Sequence, residues 1–181
     1  MTKGRSTMTA FDALDPAERG AVLAELLAER PDLRGDIERL AAAHLRTTSV
    51  DAVAGDIEWE LESIELEDLA GRAGRQPGRG YVHENEAAYE LVEQAVQPFV
   101  DDMLRRARLG MTEAAAEVAL GIIVGLYGCR EAPDGTVLAY AGPDTPRELA
   151  GWVASEVRKA GVTLAPDAIE DTCPDWAPLR Y

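Results

Sequence analysis

Two histidines and two cysteines, His44, His83, Cys129 and Cys173, bound the metal and thiol chemistry open to this 181-residue chain. His83-Glu84-Asn85-Glu86 sets an imidazole and a carboxylate three apart at a helix start, close enough to share an ion. A di-iron bundle needs Glu-x-x-His on two helices and two further carboxylates, and neither histidine sits in that motif. Capping and solvation account for His83 and Glu86 without a metal. His44 shares the stripe of Leu33, Ile37 and Leu40 near a helix C-terminus, where a partly buried histidine pairs with terminal carbonyls. Cys129 and Cys173 are not in a C-x-x-C spacing, and beyond Arg130 no base stands near to favour a thiolate, so both read as structural thiols. Ser6, Ser49, Ser63 and Ser155 lack the Gly-x-Ser-x-Gly setting of a nucleophile elbow. No catalytic residue, metal or cofactor is expected.

Two charged stretches remain. Residues 71–80 carry Arg72, Arg75 and Arg79 among glycines, and backbone amides with guanidinium groups suit an anion such as phosphate. Neither Gly-x-x-x-x-Gly-Lys-Ser/Thr nor Gly-x-Gly-x-x-Gly after a strand is present, so a flexible basic linker is the competing account. Glu58, Glu62 and Glu65 fall along one helix face, with Glu60, Glu67 and Asp68 nearby and no Lys or Arg between them. Like charges at i,i+4 repel, by a few tenths of a kcal/mol per pair. A solvated face is the default for such a helix, but the missing bases point to a basic protein partner. This is the strongest functional hint in the chain.

Composition narrows the rest. Lys plus Arg number 18 against 33 Asp plus Glu, a formal net charge of -15, which argues against direct nucleic-acid binding. Hydrophobic residues at 46% and charged residues at 28% describe a globule rather than a disordered chain. No apolar segment follows Lys3 and Arg5 before Asp12 and Asp15, so no secretory signal is expected. The most apolar run, 114–127, falls short of the roughly 20 residues of a membrane span and contains Glu117. The expectation is a cytoplasmic protein without membrane association. The bias to Ala, Arg, Gly and Asp suggests a bacterial genome of high GC content.

Helix punctuation organises the chain. Asp15-Pro16-Ala17-Glu18 spells an N-cap, a proline at the first helical position and a capping-box glutamate. Val22, Leu23, Leu26 and Leu27 then form a stripe that ends at Arg30-Pro31, and Leu33, Ile37, Leu40, Ala41 and Leu45 form a second. The short break between them predicts a helical hairpin. A third helix starts at Thr48 or Ser49, with Val53, Ile57, Leu61, Ile64 and Leu69 inward. Residues 71–80 read as loop. A long helix follows from Glu84 to Leu109, with Pro98 predicted to kink or break it. The run 114–127, apolar on nearly every side, should be the centre of the core, and Gly121 and Gly125 should let a neighbour come close. Val137 to Tyr140 reads as extended, Thr145-Pro146-Arg147-Glu148 as a capping box, and Leu149 to Ala160 as a final helix. Trp176 should anchor an irregular tail. The fold class is therefore all-α: helical hairpins in a small bundle or short solenoid. A disordered stretch at 1–10 precedes one helical domain over 11–161, with an irregular tail at 162–181.

The order of Leu26 to Leu40, then Gly80-Tyr81-Val82 leading into Glu86-Ala87-Ala88, a helix ending at Gly110, and Gly125-Leu126-Tyr127 resembles helical regions of bacterial SWIM zinc-finger proteins over about half the chain. The Cys-x-Cys and Cys-x-His zinc module is absent, so no zinc or DNA role carries over. The resemblance implies a helical scaffold that works beside other proteins. The leading reading is a non-catalytic protein-interaction module using acidic helix faces. Its alternatives are a metal- or small-molecule-dependent enzyme using His83 and nearby carboxylates, and an acidic regulator that masks a nucleic-acid-binding protein.

Overall fold

A computed structural model describes residues 9–176, and their architecture is all-α, with a single small pair of strands among them. The expected disordered stretch lies outside the described residues up to position 8, as does the tail beyond Trp176. Where one domain was expected over 11–161, the chain divides into two compact units, one ending at His44 and the other beginning at Leu45.

The first unit holds α1 (Pro16–Glu29), a 3-10 turn over Pro31–Leu33 and most of α2 (Arg34–Arg46). The predicted capping box is in place: Asp15 accepts from the Glu18 amide at 2.8 Å, and Glu18 accepts from the Asp15 amide at 2.9 Å. Neither helix contains a buried residue. The two do not pack side by side as a hairpin; α1 meets the 3-10 turn at the joint. A connection of one residue, Arg30, running straight into that turn leaves no loop to fold α2 back. His44, expected to be partly buried, is exposed.

In the second unit α6 (Thr112–Gly128) is the central helix, as its all-round apolar pattern requires. It packs against α3 (Val50–Glu62), α5 (Glu84–Arg108) and α8 (Thr145–Lys159). Val118, Ala119, Ile122, Ile123 and Leu126 are fully or nearly fully buried. α5 crosses Pro98 without a break. Pro98 and Gln94, whose carbonyl loses its helical donor, both face solvent, where water can serve that carbonyl.

Four local expectations fail for identifiable reasons. The third helix ends at Glu62, and Leu66–Arg72 forms a separate α4, with the Glu65 amide donating to Asp68 at 3.4 Å. The glycine loop is an antiparallel hairpin of β1 (Gly74–Gln76) and β2 (Gly80–Val82). Its turn carries Pro77 and then Gly78 at φ 80°, closed by the Arg79 amide on the Gln76 carbonyl at 3.3 Å. Proline followed by a left-handed glycine is the requirement of a type II turn. Val137–Ala141 is a helical turn, α7, because Thr136 caps it and burial of Val137 and Leu138 outweighs their extended preference. Thr145 is not the cap of α8; Asp144 is. Thr145 is buried, and its hydroxyl donates to the Ala141 carbonyl at 3.0 Å, which satisfies the end of α7 instead. Beyond α8, the tail expected to be irregular includes α9 (Pro166–Thr172) and a 3-10 turn that seats Trp176 edge-on to Tyr127, at 5.1 Å between ring centres.

Candidate functional site

The acidic surface begins with how α3 is held. Val53, Ala54, Ile57 and Leu61 share its inner side, a spacing of three and four that follows the helical period. Of these, Val53, Ala54 and Ile57 lie against Gly121 and Gly125 of α6. A Cβ on Gly121 would stand 2.6 Å from that of Val53, and one on Gly125 would stand 2.7 Å from the Ala54 carbonyl oxygen. Both are inside contact distance, so only glycine allows the two backbones this separation. With the inner side clamped on α6, the opposite side of α3 faces solvent.

That outer side is uncompensated acid. The sequence of α3 holds Asp51, Asp56, Glu58, Glu60 and Glu62 and no Lys or Arg, and among the described residues none of the five takes part in an ion pair. Ser49 caps the helix by accepting from the Ala52 amide, so the first-turn acid Asp51 is not consumed as the cap. Glu62 is exposed as expected. Glu58 is only half-exposed: its carboxylate lies at Gly128, over the last turn of α6. A carboxylate is disfavoured there, because the carbonyl end of a helix carries partial negative charge. Glu65 is exposed but belongs to the start of α4, so it does not continue the α3 face.

Cys129, just past the end of α6, registers this field. Burial pushes its thiol up to about 11, and the charges of Glu58 and Glu62 push the same way. A protonated thiol is a weak nucleophile. Cys173 is buried and its thiol is likewise raised, chiefly by burial, with the Thr172 hydrogen bond and Arg130 acting in the opposite direction. Both cysteines are free.

The residue that the sequence reading passed over is Trp59. It is 66% exposed on α3, at the middle of the outer side. Its position was readable: Ile57 and Leu61, both inward, stand two residues to either side, and two residues turn a helix by roughly half a revolution.

The arginines of the hairpin serve the fold. Arg79 grips the Glu90 carboxylate with both terminal nitrogens, one at 3.0 Å, and stands 4.0 Å from Glu86. That bidentate contact holds Glu90 below the usual carboxylate range, although burial opposes it, and the charges of Arg79 and Arg72 assist. Arg75 is exposed on β1, opposite Tyr81. Arg72, in the last turn of α4, bears on the same Glu90 carboxylate as Arg79, which fastens the hairpin to α5.

His83 is exposed at the N-cap position of α5, makes no capping hydrogen bond with its side chain, and meets Tyr81 edge-on at 5.2 Å. Its supposed companion Glu86 lies toward Arg79. Among the described residues no three His, Cys, Asp or Glu side chains come together as a metal site. None of the described helices is long and apolar enough to cross a membrane. Compared with known proteins, the chain matches no family model, no curated protein and no solved structure.

Proposed function

We propose that the chain is a helical protein-interaction module whose working surface is the outer side of α3, and that its partner presents a basic protein surface there. One observation carries this reading: Trp59 is exposed on the outer side of α3, a helix with five carboxylates of which none is in an ion pair among the described residues. Tryptophan is among the residues that dominate binding energy when buried at an interface. Unpaired acid around it would steer a basic partner and quicken association. The resemblance to helical scaffolds that act beside other proteins supports the same role.

Comparing the proteins held by the wild-type chain with those held by Asp56→Lys/Glu58→Lys/Glu62→Lys, by quantitative mass spectrometry, tests the proposal. A control reverses Asp167, Glu170 and Asp171 on α9 to Lys. Partners should be lost with the α3 reversal and kept with the control. An identical partner set for all the forms would remove the α3 face from consideration.

A further inference from the structure

Charge alone attracts a basic surface, so the indole at the centre of the α3 face calls for a separate explanation. Some aromatics of this chain meet guanidinium groups, Arg130 lying 4.0 Å from the ring centre of half-buried Tyr127 and Arg19 5.9 Å from that of Phe11, while the exposed Tyr81 and Tyr140 do not among the described residues. Among the described residues no cation lies over Trp59. An indole face attracts cations through its quadrupole, and a planar, weakly hydrated guanidinium stacks on it better than an ammonium does.

The flanking acids suit the same group. Asp56 and Glu62 stand three residues before and three after Trp59, so they border it one turn away on either side. A guanidinium lying on the indole would turn its edges toward carboxylates, which its N–H fork fits.

We infer that the α3 face takes an arginine-bearing segment of a partner protein, with one guanidinium stacked on Trp59 between Asp56 and Glu62. This rests on the reading of α3 as the docking surface. It goes further in demanding arginine rather than positive charge in general.

The experiment uses the full chain and three short synthetic peptides, in which serine alternates with arginine, with lysine or with glutamate. Binding is followed by the indole N–H resonance of Trp59, distinguished from those of Trp152 and Trp176 by its loss in Trp59→Leu. The arginine peptide should shift that resonance and bind more tightly than the lysine peptide, by less than the roughly two- to fivefold that an exposed cation–π contact supplies in all. In Trp59→Leu the two peptides should become equal, while Asp56→Asn/Glu58→Gln/Glu62→Gln should weaken both. Equal affinities for the arginine and lysine peptides in the wild type, with the Trp59 signal moving for both, would overturn the arginine requirement and leave the acidic docking surface standing. A Trp59 signal that moves with neither basic peptide would overturn both. The wild-type ratio decides the first point without any variant having to fold.

Discussion

Helices α3 and α5 press apolar sides against the same central helix, and each carries more acid than base. They dispose of that acid differently. On α5, Glu90 is gripped by Arg79, Asp102 by Arg105 and Arg106, and Asp101 accepts from the Gln97 amide at 2.8 Å. On α3 no carboxylate is in an ion pair among the described residues. Acid on α5 is thus largely consumed in holding the fold, with the basic hairpin as one of its partners. Acid on α3 is in no ion pair among the described residues, and it borders an exposed tryptophan. Charge density alone would not have separated a fastening from a docking face; the presence or absence of a partner within the chain does.

The largest effect should come from breaking what both helices lean on. Ile123 on α6 is 0% exposed, and Ile123→Asp would bury a carboxylate without a partner. That costs several kcal/mol, comparable with the whole stability of a domain. The variant should be insoluble or unfolded by circular dichroism. A soluble variant melting with the wild type would place Ile123 outside the core.

A narrower change should loosen α3 and spare α5. Gly125→Ala forces a methyl group against the Ala54 carbonyl and Ile57. Overpacking of this kind costs about 1–3 kcal/mol, against about 1 kcal/mol regained from the better helix propensity of alanine. Net destabilisation is expected, with amide exchange accelerated more in α3 than in α5. An unchanged or raised melting temperature would mean that the two backbones can separate freely.

What the sequence disclosed follows the range of the forces involved. The capping box at Asp15 is a matter of four neighbouring residues, and the central helix declares itself by being apolar on nearly every side. That a neighbour comes close to α6 was legible in Gly121 and Gly125; that the neighbour is α3 was not. Strands of three residues carry too little pattern to be read, so the hairpin at 74–82 passed for a loop. Thr145 looked like a cap because local chemistry cannot show that its hydroxyl has business with Ala141. Of the acidic face, Glu58 and Glu62 could be placed together, and Glu65 could not be separated from them until the helix was seen to end at Glu62. Trp59 was concealed by expectation: tryptophan is usually inside, and only its half-turn offset from Ile57 and Leu61 said otherwise.

On the α5 side the pairing should be visible as pH dependence. Burial acts to raise the Asp102 carboxyl, but hydrogen bonds and charge from Arg105 and Arg106 outweigh it and hold the group below its ordinary value. A carboxyl lowered in the folded state adds stability that is complete above its unfolded value of about 4 and disappears as pH falls through the lower folded one. Asp102→Asn should therefore lose up to about 1 kcal/mol at neutral pH, as expected of a partly exposed ion pair. The difference from the wild type should close on acidification below about pH 4. A difference that stays constant down to full protonation would show packing, not charge, to be what Asp102 supplies.

The smallest effect sharpens the other side of the comparison, because Cys129 reads the uncompensated field of α3 directly. Its thiol stands at about 11, raised first by burial and then by Glu58 and Glu62. Neutralising both in Glu58→Gln/Glu62→Gln removes the two charges and leaves the burial, so the thiol should titrate lower than in the wild type yet still above its ordinary range. Alkylation by iodoacetamide as a function of pH, with the Cys129 peptide followed by mass spectrometry, separates it from the buried Cys173. Raising salt should lower the wild-type value in the same direction, since Glu62 is exposed and screened by the solvent. Salt should do much less in the double variant, where there is little charge left to screen. If both proteins titrate together at every salt concentration, the acids of α3 do not act on Cys129, and burial alone raises its thiol.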